Sequence, residues 1–207
     1  MDEALVKNLL INKLKFNQNK VKILETYQKE LIIYNKRYNL ISKSDESRIW
    51  FRHILDSAQL VKYISFDSNK IMIDLGSGAG FPGIILSIYN DNPEFHVKLI
   101  EKSKIKANFL QLIKKKIGLK VQIINENIYN QKINADYLVC RAFKKMPEVV
   151  RISREICKKT HKLIVLKGKN AQKDADKAFK TVPFKFKMEN SITDDESKII
   201  ICNFYKK

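Results

Sequence analysis

The sequence predicts an α/β fold, a Rossmann-like seven-stranded sheet preceded by an N-terminal helical extension. Residues 1–65 show helical periodicity and contain neither glycine nor proline. From Lys70 onward, short apolar runs alternate with helical segments, which is typical of βαβ units. A glycine-rich stretch at 76–83 follows the first apolar run, as in the strand–loop–helix unit of open α/β sheets. We expect residues 1–65 and 66–207 to form one compact unit.

The helical extension is predicted from apolar side chains that recur at intervals of three and four residues. A polar segment at 42–45 supplies N-cap candidates and separates the second apolar stripe from the third. The three stripes are Val6, Leu9, Leu10 and Leu14; Leu24, Tyr27, Leu31, Tyr34 and Tyr38; and Trp50, Ile54, Ala58 and Val61. We expect these faces to pack against the sheet.

The parallel strands are predicted from short apolar runs at 71–75, 97–100, 121–124, 137–140 and 163–166. Helices are expected between them, at 81–89, at 103–117 before Gly118, from Met146 to Cys157 and from Ala171 to Phe179. The helix at 103–117 carries an apolar stripe formed by Ile105, Phe109, Leu112, Ile113 and Ile117.

The C-terminal tail predicts an antiparallel pair of strands. Phe184, Phe186 and Met188 alternate with lysines, a polar loop follows at 194–196, and an apolar run returns at 199–201. Such a pair closes one edge of a sheet. Parallel strands closed in this way favour the seven-stranded sheet of S-adenosylmethionine-dependent methyltransferases over a dinucleotide-binding fold.

The glycine stretch indicates a ligand site but is ambiguous about the ligand. Gly78, Gly80 and Gly83 match the spacing of a dinucleotide fingerprint, so an NAD-dependent oxidoreductase stays open as an alternative. Asp74, however, ends the strand just before Gly76, and a carboxylate there would repel a pyrophosphate. It would suit the sulfonium and amino groups of S-adenosylmethionine, which we therefore predict as the cofactor.

The overall charge predicts an anionic partner. The net charge is +18, with 40 lysines and arginines against 22 acids. A strong positive field of this kind favours nucleic acid ahead of a membrane. Most of the cations are lysines, which make point-charge contacts to phosphate and leave sequence readout to other residues.

The cysteines argue against a disulfide framework and against a zinc site. Cys140, Cys157 and Cys202 are odd in number and widely spaced, with no Cys-x-x-Cys motif. This usage is typical of a reducing cytosol, and neither a signal peptide nor a membrane span is evident in the sequence. We expect a cytoplasmic protein without a metal.

Candidate site residues follow the strands, because ligands of such sheets lie at the carboxyl ends of the strands. Glu101 follows the second strand and suits ribose hydroxyls, although a charge at the next helix N-terminus explains it about as well. Residues 125–129 follow the third strand and suit an adenine. Arg141 ends the fourth strand, where a cation in a cleft is costly unless it is paired, which favours a function. Lys167 ends the fifth and could equally be a surface residue.

Several absences narrow the reaction type. No two prolines are adjacent, so the loop that grips an exocyclic amine is missing, and no motif supports a cysteine nucleophile. Arg141 replaces the acid expected for ribose methylation. The reaction type that remains is transfer of a methyl group to an atom with its own lone pair, such as N7 of a purine. This reaction needs no general base, only placement of nucleophile and methyl donor in line.

The chain also carries a set of motifs in a specific order: Tyr38-Asn39-Leu40, 52–57 (Arg-His-Ile-Leu-Asp-Ser), 73–83, Arg141-Ala142-Phe143 and Lys167-Gly168. With these motifs it resembles the bacterial small-subunit rRNA guanine-N7 methyltransferase family (GidB, RsmG) over nearly its whole length. The resemblance implies a monomeric cytoplasmic enzyme that methylates N7 of a guanine in the decoding-region loop of 16S rRNA, free or in the small ribosomal subunit. Glu101-Lys102 departs from the Asp-Ser common in the family.

The resemblance and the strand ends together give the predicted site. Carried over by position, Gly76, Phe81, Ile128, Tyr129 and Arg141 would contact S-adenosylmethionine. The predicted cofactor-binding residues are Asp74, Gly76, Gly78, Gly80, Phe81, Glu101, Ile128, Tyr129 and Arg141, and the predicted substrate-binding residues are Arg52, His53 and Lys167. No acid or base is required, and Arg141 is a candidate for positioning.

Two matters stay open at this stage. His53 and Asp56 lie three residues apart on a helix and can meet, either as an ion pair that fastens the extension or in contact with substrate. A non-enzymatic ribosome-binding protein with the same fold is the second alternative function.

Overall fold

A computed structural model describes residues 2–180 and 185–205 of the chain. Its centre is a seven-stranded sheet with the order β3-β2-β1-β4-β5-β7-β6. The strands are β1 Ile71–Leu75, β2 His96–Ile100, β3 Val121–Ile124, β4 Tyr137–Arg141, β5 His161–Lys167, β6 Phe186–Asn190 and β7 Lys198–Phe204. Strands β1 to β5 are parallel, and β7 lies antiparallel between β5 and β6. The predicted fold class is confirmed. Phe184, part of the predicted tail pattern, lies outside the described residues.

The helices cover both faces of the sheet. They are α1 Glu3–Asn12, α2 Gln18–Tyr38, α3 Lys43–Glu46, α4 Asp56–Ala58, α5 Gly83–Tyr89, α6 Lys104–Ile117, α7 Met146–Ile156 and α8 Ala171–Phe179. Helix α4 is continuous with a π-helical turn, Trp50–Leu55, before it and a 3-10 turn, Gln59–Tyr63, after it. We call these three turns together the 50–63 helix. No helix in the described ranges has the length and apolar character needed to cross a membrane.

The two faces of the sheet form two hydrophobic cores. Side chains of α1, α2, the 50–63 helix, α5 and α6 pack on one face with Met72, Leu99 and Val139. Helices α7 and α8 pack on the other face with Ile73 and Leu138. Successive residues of each strand therefore alternate between the two cores, as the pleat requires. The extension thus shares its core with the sheet.

The predicted stripes agree with the observed burial in most places but not in α6. Val6, Leu10 and Leu14 are buried as expected. In α6, however, Ile105 and Leu112 are 46% and 38% exposed, and Leu110 is fully buried instead. Helix α5 begins at Gly83 rather than at 81 because Phe81 and Pro82 belong to the turn that leads into it. Cys140, Cys157 and Cys202 are buried free thiols.

Candidate active site

The glycine loop between β1 and α5 presents bare main chain at the carboxyl end of β1. Gly76, Gly78 and Gly80 have φ angles of 70°, 59° and 108°, a region that L side chains rarely adopt. The N–H groups of Gly76 and Ser77 donate to the carbonyl of Ile100 over 2.9 and 3.1 Å, which ties the loop to the end of β2. A Cβ on Gly76 would lie 2.4 Å from the ring of Phe143. Only glycine fits there.

Asp74 lies beneath this loop and is fully buried. Its Oδ2 accepts the N–H of Gly83 over 2.9 Å, and a Cβ on Gly83 would lie 2.6 Å from the same oxygen. Its Oδ1 has no hydrogen-bond partner within residues 2–180 and 185–205. Burial raises the pKa of Asp74 to about 7, against the hydrogen bond from Gly83, which acts in the opposite direction. The carboxyl group therefore supports the loop from inside.

Glu101 joins the glycine loop to the start of α6. Its Oε2 accepts the N–H of Gly78 over 2.9 Å, and its Oε1 accepts the N–H of Ser103, the N-cap of α6, over 2.7 Å. Both functions proposed for Glu101 from the sequence are therefore compatible with its place. The carboxylate caps the turn before α6, and it also faces the cavity beside the loop.

A first cavity of about 250 Å³ lies at the carboxyl ends of β1 to β4. The predicted cofactor-binding residues that line it are Gly76, Gly78, Glu101, Ile128 and Tyr129. The ring of Phe143 and the side chains of Lys102, Lys106 and Lys144 also border it. Bare glycines next to a carboxylate, with an aliphatic and an aromatic side chain opposite, fit the amino-acid, ribose and adenine parts of S-adenosylmethionine.

The other predicted cofactor-binding residues, Asp74, Gly80, Phe81 and Arg141, do not line the first cavity. Gly80 is packed against α5, since a Cβ there would lie 2.5 Å from Ile84. Phe81 is 4% exposed, and its ring lies between Tyr27 and His53. Asp74 and Phe81 are buried, and Arg141 lines a second cavity instead.

The helical extension holds the second half of the glycine loop. Tyr27 of α2 donates its hydroxyl hydrogen to the carbonyl of Ala79 over 2.8 Å. Its ring meets that of Phe81 edge-on at 5.6 Å, while the ring of His53 is stacked on the other side at 4.8 Å. No sequence pattern indicates this role, because Tyr27 belongs to an ordinary apolar stripe.

Arg141 fastens the end of β4 to the 50–63 helix. Its Nη1 donates to the carbonyl of Arg52 over 2.7 Å and lies 3.4 Å from Oδ2 of Asp56. Its Nη2 contacts Nδ1 of His53, and its guanidinium lies 5.0 Å from the ring centroid of Phe81. His53 and Asp56 therefore meet through Arg141, and no direct contact between the two is found in the described residues.

His53 is a neutral imidazole at physiological pH. Burial, with the charge of Arg141 adding to it, lowers the pKa of His53 to about 3. Its Nδ1 is in contact with Nη2 of Arg141. Its Nε2 has no hydrogen-bond partner among the described residues, and the Oδ2 atom of Asp45 lies 3.7 Å from it. An imidazole with a pKa this far below neutrality is a weak base and is poorly matched to proton transfer at neutral pH.

A second cavity of about 450 Å³ adjoins the first. It is lined by the three predicted substrate-binding residues, Arg52, His53 and Lys167, together with Arg141. Arg52 forms an ion pair with Asp194 at 3.0 Å. Lys167 is bound by Asp174 at 3.0 Å and by the carbonyl of Lys144 at 2.9 Å, so it is a fixed cation. Ala142, with a φ of 47°, lines both cavities.

The loop between β6 and β7 completes the second cavity, and sequence reasoning missed it. The hydroxyls of Ser191 and Thr193 donate to Oδ1 of Asp56 over 3.2 and 3.0 Å. Gln59 donates to Ser191 and accepts the N–H of Ile192. More than a hundred residues separate these partners, and no local pattern signals such a contact. In the described part of the chain, no cluster of His, Cys, Asp or Glu could hold a metal ion.

Comparisons with known proteins agree on a family and on a fold. A family model described as rRNA small subunit methyltransferase G (GidB) matches residues 20–199. A protein of Rickettsia felis named ribosomal RNA small subunit methyltransferase G is 39% identical over 86% of this chain and 90% of its own length. A protein of the same name from Orientia tsutsugamushi is 37% identical over 84% and 85%.

The solved structures similar to this chain show the fold. A SAM-dependent methyltransferase from Aquifex aeolicus has a TM-score of 0.61 at 13% identity, over 82% of this chain and 97% of its own. A SAM-dependent O-methyltransferase from Thermotoga maritima has a TM-score of 0.59 at 15% identity, over 73% and 65%.

Proposed function

Since the chain belongs to the rRNA small subunit methyltransferase G (GidB) family, we propose that it transfers a methyl group from S-adenosylmethionine to N7 of a guanine in 16S rRNA. It is a methyltransferase, and its cofactor is S-adenosylmethionine. The proposal includes the decoding-region loop as the target and a monomer in the cytoplasm as the acting form. Free 16S rRNA and the small ribosomal subunit are the two candidate forms of the substrate.

One observation carries the proposal: two cavities of different chemistry meet at Ala142. The first offers bare glycines and the carboxylate of Glu101, with lysines at its border, and the second offers the cations Arg52, Arg141 and Lys167, each of which is paired with a carboxylate. When bound, S-adenosylmethionine supplies an electrophilic methyl group on a sulfonium. A nucleotide in the second cavity would face that group across the end of β4.

The roles of the residues follow from their places. Gly76, Gly78, Glu101, Ile128 and Tyr129 would hold the cofactor in the first cavity. The loop that carries the glycines is fixed from below, so the cofactor meets a preformed surface, which is the requirement of catalysis by proximity.

In the second cavity, Arg52 and Lys167 would bind phosphate groups next to the target base. Each of them already has a carboxylate partner, which sets its position, and a phosphate would have to compete with that carboxylate for the cation. Arg141 acts as a positioning residue, because it holds the backbone of Arg52 in place. N7 of guanine carries a lone pair at neutral pH, and the neutral His53 is not needed as a base.

The direct test is methyl transfer to defined RNA. Purified protein is incubated with methyl-labelled S-adenosylmethionine and either small ribosomal subunits or free 16S rRNA, and the modified base is located by mass spectrometry. We expect one N7-methylguanine in 16S rRNA. Label on another base, or none on either substrate with protein that binds the cofactor, would contradict the proposal.

A thermal-shift comparison tests the cofactor separately. A ligand that binds only the folded state raises the melting temperature. We expect S-adenosylmethionine, but not NAD or NADP, to raise the Tm. A rise with NAD alone would instead support the dinucleotide alternative.

A further inference from the structure

A row of lysines leads away from the second cavity along α8. Lys169 precedes this helix, and Lys173 and Lys177 lie on it one turn apart, about 6 Å along its axis. Lys173 and Lys177 are exposed, and neither forms an ion pair within the described part of the chain. Among residues 2–180 and 185–205, Lys169 forms an ion pair only with Glu196, at 3.5 Å, and both side chains are exposed. Exposed pairs of this kind contribute little, so these charges are available to a ligand.

The lysines border a groove of about 1020 Å³ that also has an apolar wall. The rings of Phe179 and Phe186 are stacked at 4.6 Å and 17° and line this groove. The acid that lines it, Asp176, accepts a hydrogen bond from Gln172 over 2.8 Å. Proteins that bind single-stranded nucleic acid commonly combine cations, which contact the backbone phosphates, with aromatic rings, on which bases stack.

The groove is continuous with the site. Lys169 and Asn170 line both the second cavity and the groove, as Ala142 lines both the first cavity and the second. If one nucleotide of an RNA strand lies in the second cavity, the strand that leaves this cavity past Lys169 and Asn170 would therefore reach the α8 groove. Lysines on a surface that shared no lining residues with the second cavity would give no reason to expect the flanking RNA there.

We propose that the α8 groove, lined by Lys169, Lys173, Lys177, Phe179 and Phe186, binds the RNA strand that flanks the target nucleotide. This rests on the proposed function and extends it from the target base to its neighbours. The lysines contact phosphates without reading sequence, and the phenylalanine pair packs against a base or ribose. An acidic segment of a ribosomal protein is the competing occupant.

The test is the double variant Lys173→Gln/Lys177→Gln. Glutamine has a helix propensity close to that of lysine and adds no charge, so the variant should fold. Binding to radiolabelled, protein-free 16S rRNA is measured by filter retention between 50 and 300 mM salt. Losing two phosphate contacts should weaken Kd about tenfold near physiological salt and make the log–log salt slope shallower by about 1.4. The Kd for S-adenosylmethionine should not change, because neither lysine lines the first cavity.

The matched control is Lys22→Gln/Lys29→Gln. Both lysines are exposed on α2, which packs on the opposite face of the sheet. We expect less than a twofold change in Kd for this control. Equal losses in the two variants would mean that only net charge matters and would overturn the proposal. An unchanged Kd for the groove variant would overturn it as well, and so would a loss seen with small subunits but not with protein-free RNA.

The outcome separates the groove from the proposed function. If the wild-type protein methylates 16S rRNA and the groove variant binds it equally well, the groove assignment fails alone. If the wild-type protein binds 16S rRNA but never methylates it, the proposed function fails, while the difference between the two variants still tests the groove.

Discussion

The carboxyl group of Asp74 lies directly under the glycine loop and accepts the N–H of Gly83. Its place in the sequence suggested a charge that attracts the sulfonium, yet full burial and a pKa near 7 describe a group that supports the main chain. The two interpretations differ in what they require of the side chain. Electrostatic selection requires a negative charge, whereas support of the loop requires only a hydrogen-bond acceptor.

Substitution of Asp74 separates these interpretations. Asp74→Asn keeps an oxygen that can accept the N–H of Gly83, so we expect its Kd for S-adenosylmethionine to stay within about threefold of wild type. Asp74→Ala leaves the N–H buried and unpaired, which costs about 1–3 kcal/mol. We expect at least tenfold weaker cofactor binding, measured by calorimetry. Equal losses in both variants would restore the electrostatic role.

The pH dependence of stability gives a second measurement on Asp74. Its pKa is raised from 3.8 to about 7 in the folded state, so between these values the native protein binds a proton that the unfolded chain has released. The stabilisation is therefore present at low pH and is lost as the pH rises through 7. Compared with Asp74→Asn, urea unfolding of the wild type should lose up to about 4 kcal/mol between pH 4 and pH 8. A constant difference across this range would contradict a raised pKa.

His53 should make no contribution as a base. Its lowered pKa keeps the imidazole uncharged at neutral pH, and its contact with Arg141 fixes the position of the ring. We expect His53→Asn, which retains an acceptor for Arg141, to lower kcat less than tenfold. Loss of a true general base costs about 10²–10⁴-fold. A loss in that range, together with a pH–rate limb near 6.5 that vanishes in the variant, would identify His53 as a base.

At the scale of elements, α2 and the 50–63 helix support the glycine loop, and the 50–63 helix also lines the second cavity. Tyr27 holds the carbonyl of Ala79, and His53 packs on Phe81. The extension is thus part of the site's support, although no side chain of α2 lines either cavity. The apolar stripes of the extension, which are predicted from the sequence only to pack on the sheet, therefore also include a side chain that holds the glycine loop.

Removal of one hydroxyl tests this support. Tyr27→Phe keeps the ring but leaves the carbonyl of Ala79 without its donor, and we expect about 1 kcal/mol of lost stability. Because the loop forms the cofactor surface, the Kd for S-adenosylmethionine should rise about threefold to tenfold. The control is Tyr34→Phe on the same helix, whose ring packs on Tyr38 and Phe109. Identical cofactor affinities in the two variants would show that α2 only packs.

How far sequence predicts this molecule depends on whether a contact is local. The strands and the bounds of α5 to α8 are predicted closely because each depends mainly on its own residues. Ile105 and Leu112 of α6 were misplaced because the pattern fixes a helix period but not the width of the buried face. The contacts of Asp56 with Ser191 and Thr193 were missed because they join residues far apart in sequence, through the final hairpin. The glycine pattern predicts a ligand at this loop, but it does not predict that Gly80 and Phe81 pack into the core.

At the scale of the whole molecule, the two ligands should differ in their response to salt. The net charge of +18 acts on a polyanion over long distances, whereas the first cavity meets a small ligand through glycine main chain and one carboxylate. RNA binding releases counterions in proportion to the phosphates neutralised, and each contact with a single strand adds about 0.7 to the log–log slope. We expect KM for 16S rRNA to rise at least a hundredfold between 50 and 300 mM salt, with KM for S-adenosylmethionine changing less than threefold. Parallel rises in both constants would mean that salt acts on the fold, which circular dichroism under the same conditions would reveal. A flat RNA profile would instead mean that the lysines serve to solvate the surface and that shape alone selects the substrate.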